Sequence, residues 1–277
     1  MKAGGRLTTT EQIDKIHEED LQRLKQLRLM DDDFMTKCFE DDPKYIQLVL
    51  RIVMEKPDLV VEDVRVQVFM KNLLKRSVRL DVLATDSAGE KINVEIQRSD
   101  RGAGRKRARY NSSMMDASLL PKGDDFKNLP ETHVIFITEN DVMGKGLPLY
   151  HIDRYIRDTG EFFGDGSHIL YVNGSYRDDS PIGRLMHDFS CSDPDEMYYD
   201  ELADQVRYFK ESKEGISTMC KLLEDMRSES MKEGRKEGIE SIVFRMLGLG
   251  KYTLEDIADA AGLPLDEVKR LQAEQGA

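Results

Sequence analysis

The sequence predicts an α/β fold followed by a helical C-terminal region. Short runs rich in β-branched residues, VRVQVF (64–69), VRLDVLAT (78–85), KINVEIQ (91–97) and THVIFIT (132–138), read as strands. Between the third and fourth of these lies GAGRKRARYNSSMMDASLL (102–120). Its apolar positions Ala108, Met114, Met115 and Leu119 follow helical rather than strand spacing. Beyond residue 180 the strand signal gives way to long charged stretches with apolar stripes.

In chain order, residues 1–30 show weak helical spacing through Ile13, Ile16, Leu21, Leu24 and Leu27 among many charges, and are expected to form a partly ordered arm. From Asp32 a helix is expected, broken at Pro43, then an amphipathic helix with Ile46, Val49, Leu50 and Val53 on one face, ended by Pro57. The runs at 78–85 and 91–97 are expected to form a hairpin, with Asp86, Ser87 and Gly89 supplying the turn. LPLYHI (147–152) and HILYVN (168–173) are further strand candidates. Helices are expected over 181–189 and 196–228, the latter striped by Met197, Leu202, Val206, Phe209, Met219, Leu222, Leu223 and Met226. MKEGRKEGIE (231–240) reads as a linker whose helix Gly234 and Gly238 weaken. Thr253 and Asp256 then mark a capped helix start, Gly262 its end, and Pro264 the start of a last helix. The expected division is an arm (1–30), a main domain (31–230), and a linker with a small helical tail (231–277).

Composition narrows the function. No apolar run approaches the roughly 20 residues that span a bilayer, and the first twenty residues show neither an apolar signal core nor a cleavage site. Cys38, Cys191 and Cys220 are odd in number and far apart, which fits a reduced cytoplasm and argues against a cysteine zinc site. The net charge of −12 opposes general binding to nucleic acid, yet allows a local basic cleft or carboxylates gathered around a cation.

The hairpin carries the chemistry. Glu95 and Gln97 share one strand face, and pairing around the 86–90 turn brings Asp81 beside Glu95. Two such carboxylates repel and are costly to desolvate unless a positive group lies between them. A hard divalent cation such as Mg²⁺ is an economical answer, because it takes oxygen ligands and can orient and acidify water. The plainer reading, Asp81 paired with Arg79 or Arg98, is open on spacing alone.

Asp81 followed by Glu95-Ile96-Gln97 resembles the D…(D/E)xK signature of the PD-(D/E)XK nuclease superfamily, most closely the branch of transposase-like, recombination-promoting nucleases. RLDVLATD, NVEIQR, KRARYNSSMMD, LLPKGDDFKNLPETHVIFIT, YHIDRYI, ILYVNG and GRKEGIE resemble stretches of that branch in the same order, over roughly residues 30–275. The resemblance implies a restriction-endonuclease-like core, a mixed central sheet flanked by helices in the order αβββαβ. It implies Asp81 and Glu95 as ligands of Mg²⁺ (or Mn²⁺), with Gln97 where the superfamily's Lys stands near the attacking water. Glu40, in the first helix, is a candidate additional acid. Leu80 replaces the variable Pro of the signature, and Gln97 can orient water but not carry positive charge. The implied activity is that of a DNA endonuclease associated with transposition or recombination. A catalytically degenerate nuclease fold that binds DNA or a protein partner is the alternative.

RSDRGAGRKRAR (98–109) sets Arg98, Arg101, Arg105, Lys106, Arg107 and Arg109 against Asp100, directly after the Glu95 strand and at a helix start. Arginines and helix N-termini both suit phosphate, so DNA is the expected partner, through Arg98, Arg105, Arg107, Arg109 and Tyr110. Arg107, Arg109 and Tyr110 match the family's R-x-R-Y. Gly102 and Gly104 lack the pattern of a phosphate-binding loop. His133, His151, His168 and His187 show no metal-ligand spacing and are each read as structural. The tail resembles a helix-turn-helix, but Asp266, Glu267 and Glu274 suit a packing or oligomerisation unit better than base recognition.

Overall fold

The computed structural model describes residues 9–40, 42–71, 77–98 and 102–275; Ser99, Asp100 and Arg101 of the basic stretch lie outside the described residues. The chain divides into two compact units, residues 1–216 and 217–277. That division lies N-terminal to the compositional boundary near 230.

The first unit opens with α1 (Thr9–Gln26), α2 (Asp32–Phe39) and α3 (Pro43–Val53). Pro43 occupies the first turn of α3, where its missing N–H costs nothing, and the Asp42 side chain caps that turn by accepting from the Lys44 N–H. Residues expected to belong to a loose arm are packed: Leu24, Leu29 and Met30 are buried. The Lys210 ammonium donates to the carbonyls of Lys25, Leu27 and Ser192, and burial pushes its pKa down to about 8. The Met30 N–H also donates to the Phe189 carbonyl at 2.9 Å. These bonds fix the segment that leads into α2.

Six strands follow: β1 (Val61–Met70), β2 (Val78–Asp86), β3 (Lys91–Gln97), β4 (Thr132–Thr138), β5 (Leu149–Ile152) and β6 (Ser167–Asn173). They form one mixed sheet in the order β1-β2-β3-β4-β6-β5. The pairs β1/β2, β2/β3 and β5/β6 are antiparallel, whereas β3/β4 and β4/β6 are parallel. Parallel neighbours need a crossover, and α4 (Arg105–Leu119) is the one between β3 and β4. The αβββαβ order is therefore present, and the fold is that of a restriction-endonuclease-like core.

Side chains alternate across the strands, so both sheet faces must be covered. Val134, Phe136 and Tyr171 form one cluster with Ala108, Met114 and Met115 of α4. Phe136 and Tyr171 stack at 5.4 Å, and the Tyr171 hydroxyl donates to the Ala103 carbonyl, pinning the chain just before α4. Ile135, Ile137 and Val172 point the other way and are fully buried. A second helical group joins α2 with α5 (Pro181–Ser190) and α6 (Asp200–Glu211), through Phe39 against Phe189 and Phe34 against Phe209.

The second unit holds most of α7 (Lys213–Leu249), then α8 (Leu254–Ala261) and α9 (Leu265–Gln275). Despite Gly234 and Gly238, α7 runs unbroken through 231–240. Val243, Ile257, Ala258, Val268 and Leu271 form a small core. Thr253 and Asp256 make the expected reciprocal cap, and Gly262 ends α8 in the left-handed conformation at φ 64°. On α9, Lys269 and Arg270 pair with Asp266 and Glu267 of the same helix.

Gly174 is set by close packing at the C-terminal ends of β4 and β6. Its N–H donates to the Thr138 carbonyl at 2.7 Å, and an added Cβ would lie 2.3 Å from that oxygen and 2.8 Å from Met30 Cε. Gly174→Ala must therefore move backbone, and should destabilise the first unit by about 1–3 kcal/mol in chemical denaturation.

Candidate active site

The β2–β3 hairpin is built around its turn. Asp86 Oδ1 accepts from the N–H groups of Ala88 and Glu90, and Gly89 takes φ 85°, which its missing Cβ permits. The register that follows pairs Thr85 with Lys91 and Val82 with Val94, so its next step sets Asp81 opposite Glu95. Both are deeply buried, Asp81 at 6% exposure and Glu95 at 0%. Asp81 Oδ2 accepts the Ile96 N–H at 3.2 Å, a bond reaching across the hairpin.

Asn93, Glu95 and Gln97 share one face of β3. The Asn93 amide donates to Glu95 Oε1 at 3.1 Å, while its own Oδ1 is buried without a hydrogen-bond partner. Arg107, on the first turns of α4, spans the site. Its Nη2 donates to Glu95 Oε2 at 2.9 Å, and its Nη1 to Gln97 Oε1 at 3.2 Å and to the Gly102 carbonyl at 3.0 Å. The guanidinium also lies 5.9 Å from the centre of the Phe136 ring. Arg107 is partly exposed and so faces both the buried acids and the solvent.

A third carboxylate comes from α2. Asp32, in its first turn, is close enough for its charge to act on Asp81 and Glu95. Its Oδ1 is buried without a hydrogen-bond partner. Burial raises the pKa of all three acids. For Asp81 the charges of Glu95 and Asp32 add to this effect. For Glu95, Arg107 and Asn93 oppose it without cancelling it. For Asp32, Asp33 adds to it, while Arg79 and Arg107 oppose it. The bare site thus resists full ionisation of its three acids.

The other sequence candidates are placed differently. Glu40, proposed as the extra acid, stands at the opposite end of α2 and pairs with Lys37; the α2 carboxylate felt at the hairpin is Asp32. Arg98 bonds to Asp31 at 2.8 Å and lies 3.6 Å from Glu139, which ties the end of β3 to the start of α2. Arg105 reaches Met143 Sδ at 3.6 Å. Lys106 and Arg109 are exposed, and Tyr110 is half-buried against the α4 core. Of the basic residues expected to meet DNA, Arg107 is the one bonded to the acidic pair among the described residues.

The donor set is all oxygen: two buried carboxylates and a third beside them with an unpartnered buried oxygen. That chemistry fits a hard divalent cation. Among the described residues no helix is long and apolar enough to cross a membrane. No curated protein and no solved structure matches the chain. Residues 60–174, which hold the whole sheet, α4, Asp81, Glu95 and Arg107, match the model of the PD-(D/E)XK nuclease family transposase.

Proposed function

We propose that the protein is a Mg²⁺-dependent DNA endonuclease that hydrolyses phosphodiester bonds in transposition or recombination, with Mn²⁺ able to substitute. The observation that carries this reading is that Asp81 and Glu95 are both buried and close enough on the hairpin for the charge of Glu95 to act on Asp81, as that of Asp32 does. Their raised pKa values describe acids that burial makes hard to ionise, a cost that a divalent cation offsets. The match of residues 60–174 to the family model supports a nuclease-type activity.

Asp81, Glu95 and, in support, Asp32 would hold the cation. When bound it supplies Lewis acidity, acidifying the attacking water and offsetting charge on the scissile phosphate. Gln97 orients that water through its amide. Arg107 already touches Glu95 and Gln97, and its guanidinium suits a phosphate oxygen. Water attacks phosphorus and the 3′ oxygen leaves, giving 5′-phosphate and 3′-hydroxyl ends. Arg98, Arg105, Arg109 and Tyr110 remain the proposed contacts along the DNA backbone. The C-terminal helices are proposed to serve packing or self-association.

Purified protein should nick supercoiled plasmid in Mg²⁺ or Mn²⁺ and stop in EDTA. Asp81→Ala and Glu95→Ala should each abolish nicking. Well-folded wild type that cuts neither single- nor double-stranded DNA would favour the degenerate binding module, a reading to which Gln97 in the Lys position lends weight. Arg107→Ala should lower the nicking rate by about 10²–10³-fold, the range typical for loss of one charge-stabilising donor.

The raised pKa of Asp81 also sets a pH dependence. A carboxyl whose folded pKa exceeds its unfolded value gives the folded state an extra bound proton. The stability this confers is full below the unfolded pKa and is lost as pH rises through the folded one. Asp81→Asn removes the charge and keeps an acceptor for the Ile96 N–H. In alkaline, metal-free buffer it should melt about 2–6 °C above wild type, and the difference should vanish at acid pH. Mg²⁺ should raise the melting temperature of wild type but not of Asp81→Asn.

A further inference from the structure

Three of the five histidines, His133, His151 and His168, line one cavity of about 110 Å³, together with Met54, Lys56 and Asp153. His133 is the second residue of β4 and His168 the second of β6, and the parallel register sets them side by side. Their rings stack with centroids 4.8 Å apart and planes 17° from parallel. One nitrogen of each ring and a carboxylate oxygen of Glu131 all lie within 4.8 Å of one another. His133 and Phe136 are three residues apart on β4, so they point to opposite faces of the sheet. Phe136 is the register partner of Glu95, and the histidines therefore lie on the face away from the hairpin acids, about 10 Å back along the strand.

We infer that His133, His168 and Glu131 form a second metal site, specific for a borderline transition ion such as Zn²⁺ and separate from the carboxylate pair. Two imidazole nitrogens with one carboxylate select such an ion over Mg²⁺, which prefers an all-oxygen shell. Both rings carry the support that metal-binding histidines need. Asp153 Oδ1 lies 2.6 Å from His168 Nδ1, leaving Nε2 to ligate, and Glu90 Oε2 lies 2.9 Å from His133 Nε2, leaving Nδ1. A carboxylate on one ring nitrogen fixes the tautomer and makes the other a better ligand. Lys56 donates to both oxygens of Glu90, and Glu131 is exposed and able to swing inward. Gly166 leaves room for it, since a Cβ there would lie 3.2 Å from Glu131 Cγ. Tetrahedral ligand atoms stand roughly 3.4 Å apart at bond lengths of about 2.1 Å, so closing the site takes only side-chain rotation. Glu90, Asp153 and Glu131 against Lys56 leave net negative charge to receive a dication. His151, at the cavity edge, is a further donor within the same space.

The test uses full-length Asp81→Asn protein, whose hairpin site is disabled, stripped with EDTA and titrated with Zn²⁺ in a calorimeter and with Co²⁺ by visible absorption. One equivalent of Zn²⁺ should bind without displacement by excess Mg²⁺, and Co²⁺ should develop the strong d–d bands of a low-coordinate nitrogen site. His168→Gln and the exposed Glu131→Gln should each abolish or severely weaken binding, and Asp153→Asn should weaken it about 10–100-fold. Absence of Zn²⁺ binding in the stripped protein overturns the inference, as does binding that His168→Gln and Glu131→Gln leave intact. Because the hairpin acids are already disabled, either result is independent of whether the protein cuts DNA.

Discussion

The fold is organised around one constraint: two carboxylates buried on neighbouring strands, where burial makes both hard to ionise. The sheet must hold Asp81 and Glu95 in register, because a one-residue slip in an antiparallel pair sends a side chain to the opposite face. The Asp86–Gly89 turn sets that register at one end, and the Ile96 N–H bond to Asp81 fastens it at the other. Around this pair the rest is support. Tyr171 pins the chain entering α4, and α4 delivers Arg107 to Glu95. Arg98, Arg28 and Met30 hold the segment that delivers Asp32.

Much of this was legible in the sequence because it is local. The strands announce themselves by β-branched runs, the turn by Asp and Gly, and α4 by its spacing. Asp81 and Glu95 stand out because acids interrupt otherwise apolar strands. Asp32 was not legible. It lies in the run Asp31-Asp32-Asp33 at a helix N-terminus, where acids are ordinary because the helix dipole favours them. Nothing in spacing shows that α2 aims its first turn, rather than Glu40, at the hairpin. That depends on long-range bonds such as Lys210 to Leu27. The stacking of the histidines was hidden for the same reason. His133 and His168 are 35 positions apart, and only the parallel pairing of β4 with β6 stacks them.

Arg107 shows how one residue serves both stability and the proposed chemistry. Among the described residues it is the cation paired with Glu95, and it offsets part of a burial cost that would otherwise fall on an unpaired charge. Its other contacts, to Gln97, the Gly102 carbonyl and the Phe136 face, orient the guanidinium without consuming all five of its donors. The side chain is also partly open to solvent. A lysine at this position would supply charge but not this fork.

The charge balance gives the final step. A chain of net charge −12 with three acids at its candidate active site repels a polyanion at the very place where cleavage would occur. The exposed bases of α4 attract phosphate nearby, yet Arg107 alone does not neutralise Asp32, Asp81 and Glu95. On the nuclease reading, the cation is then needed before the chemistry as well as during it. By removing the excess negative charge it lets the backbone settle against Arg107, so substrate affinity and cation occupancy rise together. Such coupling is reciprocal: whatever the cation adds to the affinity for DNA, bound DNA adds to the affinity for the cation. The weak ligation expected of a site with two buried carboxylates and one supporting acid is thereby strengthened only when phosphate is present.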